Sequence, residues 1–500
     1  MNVSILNKIK QFNINHHNMS LIFIAILMAF FTGILSDQVT SFIYPMATGN
    51  SYTNDPNMFY YMGKLFINGY KPYYGFFDHK GPYIFYFTGL AHILGGRFGM
   101  ILLHTIIFGI FYYFLFKIYE EYKYNKTISI CMTLLLMSII IICGQNPSDS
   151  EIEYPLISSG LYFYIKAINN KEDKYFLYGN IIAGLCAGIA IHLRLTEAIV
   201  PFGMVVYFGI RELINKKYQN IIINALVCFG GLLITSLPPL IHSLCGGFTG
   251  IMYESIIFNN MSYAGGLFSS YSIESITSRL VIIGLLILVS ICIVVLKKKN
   301  KISLDETLFY GIVFGITLVL EFITAYYLHY LLIVFPLVFI FIGRVLSFID
   351  FNKVIKNICL LTTFIIFIIS SLIFPILNYS TQIKKDKAIN EYINLVIPEE
   401  SKNKQVLCYV TSASIYTNND ILVGYPDFAS QDNHIRFSKE YTLDRLIDYA
   451  INSECKYIII DNEISSGSFV DWLNNNDYYK KDNSDIEGKK YISIYLKTNL

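Results

Sequence analysis

Apolar stretches of about twenty residues recur along most of this chain and constrain its fold more than any other feature. Such a stretch crosses the hydrocarbon core of a bilayer as a helix, which satisfies its backbone hydrogen bonds without water. Of the 500 residues, 54% are hydrophobic and 15% are charged, which is too apolar for a soluble protein. The sequence therefore predicts a polytopic α-helical membrane protein. Eleven stretches are predicted spans: 19–36, 97–118, 127–143, 154–168, 175–193, 196–210, 220–242, 277–296, 307–325, 328–347 and 356–377.

The positions of lysine and arginine predict how these spans are oriented. Every second connection is basic, whereas the short connections between them contain Arg194 alone, with Arg279 at the head of a span. Cytoplasmic connections carry the excess of basic residues. We therefore expect a multi-pass protein of the plasma membrane with a cytoplasmic N-terminus, and with the loop 37–96 and the residues after 378 outside. The basic connections contain Lys8 and Lys10; Lys117, Lys123 and Lys126; Lys166, Lys171 and Lys174; Arg211, Lys216 and Lys217; Lys297, Lys298, Lys299 and Lys301; and Arg344, Lys353 and Lys356.

The last part of the chain is polar and has a different pattern. Short apolar runs typical of strands alternate there with stretches typical of helices, which favours a small α/β domain with a mainly parallel sheet. We therefore divide the chain into a transmembrane domain, 1–378, and an extracytoplasmic domain, 379–500. The predicted strands are 404–410, 456–460 and 490–496, and the predicted helices are 384–396 and 440–452.

Charge and cysteine content exclude several classes of function. The net charge of +2 gives no basic surface for nucleic acid. No Cys/His spacing predicts zinc, and no carboxylate cluster demands a metal, so no cofactor is predicted and a divalent metal is left open. Cys408 and Cys455 both stand beside predicted strands, and a disulfide between them is one option.

The loop 37–96 predicts two short helices. Asn54 or Asp55 is placed to cap the first, with Pro56 following and Gly69 as its end. The second begins at Gly81-Pro82. A short amphipathic helix directly after a span is expected to lie flat in the membrane interface. The apolar stripe of the first helix is Met58, Tyr61, Met62, Leu65 and Phe66, and the second carries Tyr83, Phe85, Tyr86 and Phe87 before Gly95-Gly96.

Three charged positions each have two open interpretations. Asp55 is either a helix cap or a base that accepts a proton from an attacking hydroxyl, and the two roles are compatible. His79-Lys80, beside a glycine and a helix start, is either an anion site or a solvated loop. Arg194 breaks the charge pattern and is either functional or paired with Glu197.

The loop 243–276 also has two open interpretations. It is either a mobile cover over the site or an ordinary loop.

Four patches occur in a characteristic order: Asp55 with Gly69-Tyr70-x-Pro72-Tyr73 and Phe77-Asp78-His79-Lys80-Gly81-Pro82; Ser150-Glu151-Ile152-Glu153-Tyr154-Pro155; Gly184-Leu185-Cys186-Ala187-Gly188 followed by Arg194; and Tyr327-Leu328-His329-Tyr330 followed by Pro336. Together they resemble bacterial GT-C glycosyltransferases, the protein mannosyltransferase-like (family 39-type) enzymes that use polyprenyl-phosphate sugars. The resemblance covers about 20–350 in topology, and no motif covers the tail.

The resemblance implies a role for each matched residue. Asp55 would deprotonate the acceptor hydroxyl, and Lys80, Arg194, His329 and His79 would bind the donor phosphate. Many relatives carry two adjacent acids where this chain has Asn54-Asp55, so any helper acid would be Glu151 or Glu153. We also expect Asp78, Tyr60 and Tyr73 to contact substrate, and Glu321 either to orient His329 or to face water.

The leading hypothesis is therefore a membrane glycosyltransferase that moves a sugar from polyprenyl phosphate to a hydroxyl of a cell-surface glycan or polymer, with inversion. A surface polysaccharide polymerase or ligase is an alternative that shares the lipid donor, although the first-loop pattern speaks against it. A transporter or flippase of lipid-linked sugars is the third, but it would be expected to show repeated halves with helices broken near the midplane. The sequence shows no such repeat.

Overall fold

The computed structural model describes residues 17–37, 54–143, 146–259, 273–324, 328–410, 413–422, 443–453, 455–462, 468–476, 478–480 and 487–497. The protein is mostly helical, with a small sheet near the C-terminus. Its helices are α1 (His17–Ser36), α2 (Asn54–Ile67), α3 (Tyr83–Ile93), α4 (Arg97–Glu121), α5 (Lys126–Cys143), α6 (Asp149–Asn170), α7 (Asp173–Ile191), α8 (Ile199–Ile214), α9 (Tyr218–Gly246), α10 (Thr249–Tyr253), α11 (Ile273–Lys298), α12 (Leu304–Thr324), α13 (Phe335–Leu346), α14 (Lys353–Ile368), α15 (Phe374–Val396), α16 (Ser414–Asn418), α17 (Leu443–Asn452) and α18 (Ser468–Asn474).

Every predicted span overlaps helical structure, although 328–347 contains a 3₁₀ helix, Leu328–Ile333, before α13, and 356–377 extends from α14 into the start of α15. Within the described residues, eight helices are long and apolar enough to cross a membrane: α1, α4, α5, α7, α9, α11, α12 and α14 with the π-helical turn Ile369–Ile373. Three predicted spans fall below that threshold: α6 opens with three acidic residues, and α8 and α13 are only 16 and 12 residues long. The chain is thus a polytopic helical membrane protein, and the count of eleven spans stays a prediction.

The glycine-rich part of α7 has a packing role. A Cβ on Gly184 would overlap the backbone carbonyl of Cys228, and one on Gly188 would overlap Thr235. Small residues of this kind let two membrane helices approach closely. The glycines therefore fix α7 against α9, and this contact places the end of α7, just before Arg194.

The first loop folds into the two predicted helices, α2 and α3, which pack against each other. A Cβ on Gly63 of α2 would overlap Thr88 of α3. The stripe Met58, Tyr61, Met62 and Leu65 is buried, but it packs into a core shared with the C-terminal residues. This differs from the expected contact with lipid. Exposed apolar side chains of this region include Ile67 at the end of α2, Tyr74, and a group at the end of α3 and the start of α4: Leu90, Ile93, Leu94 and Phe98.

The C-terminal sheet has four strands: β1 (Val406–Tyr409), β2 (Tyr457–Asp461), β3 (Tyr478–Lys480) and β4 (Ile492–Lys497). Their order is β1-β2-β4-β3. β1 and β2 are parallel, whereas β4 is antiparallel to both β2 and β3. The prediction of a mainly parallel sheet is therefore wrong, because the three-residue β3 was not recognised and β4 runs back beside β2. Cys408 and Cys455 are free thiols in the described structure.

The link between membrane and sheet is helical. A π-helical turn, Ile369–Ile373, joins α14 to α15, and α15 continues to Val396. The predicted division at 378/379 thus falls inside one helix, so the two-domain division stays a prediction. Gly488 lies so close to Ala388 of α15 that a Cβ would overlap its carbonyl. The segment that leads into β4 therefore packs against the C-terminal half of α15.

Candidate active site

Asp55 and Lys80 meet at the start of α2. Asp55 lies in the first turn of α2, and its Oδ2 is 3.6 Å from Lys80 Nζ. The two side chains differ in access, since that of Asp55 is 42% exposed and that of Lys80 is 9% exposed. The pair therefore presents an accessible carboxylate beside a largely buried ammonium group.

The segment around Lys80 is held from several sides. Asp78 Oδ1 accepts the backbone N–H of Lys80 at 2.9 Å, which is an Asx-type turn. The hydroxyl of Tyr73 donates to the Lys80 carbonyl at 3.0 Å. The ammonium group also lies 4.6 Å from the ring centroid of Phe59, in cation–π range. These contacts fix the backbone and the side chain of Lys80 together.

The neighbouring Gly81 docks this segment onto the end of α7. Its N–H donates to the Leu193 carbonyl at 3.0 Å, and a Cβ at Gly81 would overlap the His192 carbonyl. The position therefore requires glycine. Arg194 directly follows Leu193, so this contact brings Lys80 close to Arg194.

Arg194 stands between α7 and the 3₁₀ helix Leu195–Ala198. Its Nη2 donates to Glu197 Oε1, so the predicted alternative pair is present. Its Nη1 is also 3.7 Å from Asp149 Oδ2, and the guanidinium lies 4.4 Å from the ring centroid of Tyr330. Arg194 thus connects three parts of the chain.

Asp149 is the residue that sequence reasoning missed. It lies in the first turn of α6 and interacts electrostatically with Lys80, Arg194 and Asp55. Burial raises its pKa, and the two cations oppose that shift. Its position two residues before Glu151 was the one signal that the sequence offered.

The electrostatics keep Lys80 charged. Burial alone would lower its pKa, but Asp78, Asp55 and Asp149 outweigh burial and raise the pKa above its ordinary value. Arg194 acts in the opposite direction on Lys80, which shows that the two cations are close enough to repel each other. The neighbouring carboxylates offset this repulsion, since Asp149 interacts with both cations.

Glu151 and Glu153 point elsewhere. Glu151 Oε1 bonds His104 Nδ1, and His104 Nε2 is 3.6 Å from Asp37 Oδ2. Glu153 accepts from the thiol of Cys186. All of these groups are fully buried, and the described structure gives neither glutamate a contact with Asp55. Of the three acids at this end of α6, Asp149 is the one that interacts electrostatically with Asp55.

The remaining predicted residues are distributed as follows. His79 Nδ1 is 3.4 Å from Asp78 Oδ1, and the His79 side chain is partly exposed. Asp78 and Tyr73 are buried and act within the loop. Tyr60 lies on another side of α2 and packs against His92, with the two rings tilted at 35° and their centroids 4.1 Å apart. The side chain of His329 lies outside the described residues.

One further carboxylate belongs to this region. Glu321, on α12, is 1% exposed and interacts electrostatically with Arg194 and Glu197. We call the whole group the polar cluster: Asp55, Asp78, Lys80, Asp149, Arg194, Glu197 and Glu321. Within the described part of the chain, no three His, Cys, Asp or Glu side chains are arranged to hold a metal ion.

The loop predicted to cover the site is described up to Asn259. Its first part, α10 and the π-helical turn Glu254–Asn259, contacts the first loop and the end of α7. Lys71 Nζ donates to the Gly247 carbonyl at 3.3 Å, and the hydroxyl of Tyr253 is 3.1 Å from His192 Nε2. Residues 260–272 lie outside the described residues, so the idea of a mobile cover stays a prediction.

Comparison with known proteins supports this picture. Residues 79–242 match a family described as dolichyl-phosphate-mannose-protein mannosyltransferase. The match begins at His79 and ends at His242, within α9. It contains Lys80, Asp149, Arg194 and Glu197, whereas Asp55 precedes it. No curated protein matches the chain. The family match confirms the resemblance read from the sequence: over about a third of its length, this multi-pass membrane protein is similar to the protein mannosyltransferases, which are glycosyltransferases of the GT-C type.

Proposed function

We propose that the protein transfers a sugar from polyprenyl phosphate to a hydroxyl of a cell-surface glycan or polymer, on the outer face of the membrane. The observation that carries the proposal is the 3.6 Å approach of Asp55 Oδ2 to Lys80 Nζ. A base for the acceptor and a cation for the leaving group are thereby held side by side.

Asp55 acts as the base in this reaction. Its carboxylate is 42% exposed, so an acceptor hydroxyl can reach it. The hydroxyl oxygen attacks the anomeric carbon while its proton passes to Asp55, and the bond from that carbon to the phosphate oxygen breaks. Attack opposite the leaving group inverts the anomeric configuration. General base catalysis of this kind contributes about 10²- to 10⁴-fold.

Lys80 and Arg194 receive the phosphate. The departing phosphate monoester gains negative charge, and fixed cations in a water-poor site stabilise that charge. The charge on Lys80 is secured by its raised pKa. The donor phosphate would compete with Asp55 for Lys80 and so release the Asp55 carboxylate for the acceptor. His79 and His329 are further candidates for this phosphate site.

The test is turnover by the purified full-length protein. It is incubated with polyprenyl-phosphate mannose, glucose, galactose and N-acetylglucosamine and with envelope glycans as acceptors, and release of polyprenyl phosphate is followed. At least one donor should turn over, and Asp55→Asn should lower kcat at least about a hundredfold. Failure with every donor, or equal turnover by the variant, refutes the proposal.

Asp420→Asn is the matched control. Asp420 forms an ion pair with Lys64 in the last turn of α2, and its side chain is 77% exposed. The same chemical change is thus made at a residue that contacts the opposite end of the same helix. An exposed ion pair contributes at most about 1 kcal/mol, so this variant should retain wild-type kcat. The comparison separates loss of the base from a general effect on α2.

A further inference from the structure

The polar cluster contains more acidic side chains than a phosphate site requires. It combines the carboxylates of Asp55, Asp78, Asp149, Glu197 and Glu321 with the cations of Lys80 and Arg194. A donor phosphate adds further negative charge to this group. The acids that lie around Arg194 therefore need a partner other than phosphate.

Two glutamates in this group are buried with one oxygen unused. Glu197 is 0% exposed, and its Oε1 accepts from Arg194 and from the Ser150 hydroxyl at 3.2 Å. Its Oε2 has no hydrogen-bond partner among the described residues, and neither does Oε2 of Glu321, which is 1% exposed. Asp149 Oδ1 and Arg194 Nε are likewise buried and have no hydrogen-bond partner within the described structure.

An unpartnered buried carboxylate oxygen is unfavourable, because it has lost its water without gaining a donor. The partner must therefore bring hydrogen-bond donors. Phosphate oxygens accept hydrogen bonds and do not donate them. A ring bearing several hydroxyl groups satisfies these oxygens, since each O–H donates one hydrogen bond to a carboxylate.

We propose that Glu197 and Glu321 bind hydroxyl groups of the donor sugar and so select which sugar is accepted. This inference rests on the proposed function and specifies where the sugar lies. Arg194 contacts Glu197 directly and interacts with Glu321, so a phosphate on Arg194 brings the attached sugar to both acids. Buried acceptors that go unpaired also discriminate strongly against a ligand that lacks the matching hydroxyl.

Equilibrium binding to the full-length protein tests this inference without requiring turnover. The probes are radiolabelled polyprenyl-phosphate mannose, polyprenyl-phosphate glucose and bare polyprenyl phosphate. The wild type should bind at least one sugar-bearing lipid more tightly than bare polyprenyl phosphate. Glu321→Gln and Glu197→Gln should each weaken binding of that lipid about ten- to a hundredfold, which is the range for hydrogen bonds to charged groups. Neither variant should weaken binding of bare polyprenyl phosphate.

Thermal unfolding separates this role from a structural one. Glu321→Gln keeps the shape of the side chain and replaces a buried carboxyl group whose Oε2 has no described partner, so its Tm should equal or exceed that of the wild type. The matched control is Glu212→Gln, near the C-terminal end of α8. Glu212 is equally buried, but Arg211 and Asn220 engage both of its oxygens. This control should lower Tm and leave the preference for the sugar-bearing lipid unchanged.

The outcomes distinguish this inference from the transfer reaction. Unchanged affinity for the sugar-bearing lipid in both variants, or an equal loss for bare polyprenyl phosphate, overturns the role of Glu197 and Glu321 even if Asp55-dependent turnover is seen. A sugar preference that both variants abolish supports that role even if no acceptor is ever glycosylated, in which case only the proposed transfer reaction fails.

Discussion

Tyr61 of α2 and Tyr416 of α16 stack with their ring centroids 4.6 Å apart, and both are fully buried. The hydroxyl of Tyr416 donates to the Cys408 carbonyl at 2.8 Å. One turn further along α2, Lys64 pairs with Asp420. The C-terminal residues thus hold the helix whose first turn carries Asp55, which gives them a physical role in positioning the proposed base.

Loss of the Tyr416 ring should loosen this contact. Tyr416→Ala deletes a buried aromatic side chain, which typically costs about 3–5 kcal/mol, whereas Tyr416→Phe loses one hydrogen bond worth about 1 kcal/mol. Cys408 and Cys455 are both 1% exposed and should resist a maleimide under native conditions. We expect Tyr416→Ala to speed their labelling, measured by peptide mass spectrometry, and to lower kcat. Equal labelling of the two variants would show that the stacking does not hold the sheet to α2.

The charge of Lys80 should determine both activity and its alkaline limit. Lys80→Met removes the cation that Asp55, Asp78 and Asp149 share, so kcat/KM should fall about 10²- to 10³-fold, while Lys80→Arg should retain more activity. The raised pKa keeps Lys80 protonated above its ordinary value of 10.5, so its contribution to stability is complete below 10.5 and is lost only as pH rises through the folded value. No loss of activity below about pH 10 should come from Lys80. An alkaline limb near pH 9 that moves upward in Lys80→Arg would contradict this.

Sequence reasoning located the spans and the first-loop helices because both are local patterns. The apolar runs, the proline after Asp55 and the glycine at 69, which adopts φ +84°, act over a few residues. It also predicted that Asp55, Lys80, Arg194 and His329 would converge at the outer surface. The structure brings Asp55, Lys80 and Arg194 together, and the side chain of His329 lies outside the described residues.

Sequence reasoning could not predict features that depend on contacts between distant segments, such as which acid of α6 faces Lys80. Asp149, Glu151 and Glu153 are alternate residues of one helix, and nothing local tells which of them faces Lys80. That choice depends on how α6 packs against α4 and on the seating of Gly81 on His192. The burial of the α2 stripe by the sheet is likewise non-local, because more than three hundred residues separate Tyr61 from Tyr416.

Two adjacent glycines of α9 give a stringent test of the helix packing. A Cβ on Gly231 would lie 2.5 Å from the Ile181 carbonyl oxygen, whereas a Cβ on Gly230 meets nothing within 4 Å in the described structure. Gly231→Ala should therefore lower Tm through overpacking, which costs about 1–3 kcal/mol. Gly230→Ala should leave Tm unchanged or raise it, because alanine favours a helix by about 1 kcal/mol over glycine. Equal melting temperatures would refute the close approach of α7 and α9.

Glu151 should prove structural, although the sequence placed it among the catalytic candidates. Its Oε1 bonds His104, and His104 faces Asp37 at the end of α1, so the three residues tie α1, α4 and α6 together. Removing one member of a buried charged pair costs about 3–5 kcal/mol, because the other is left unpaired. Glu151→Ala and His104→Ala should each lower Tm strongly, and the double variant should lower it by much less than the sum, since the two changes break one interaction. Glu151→Gln, which can still bond the imidazole, should keep most of the activity. Loss of kcat in Glu151→Gln with an unchanged Tm would instead restore Glu151 to the reaction.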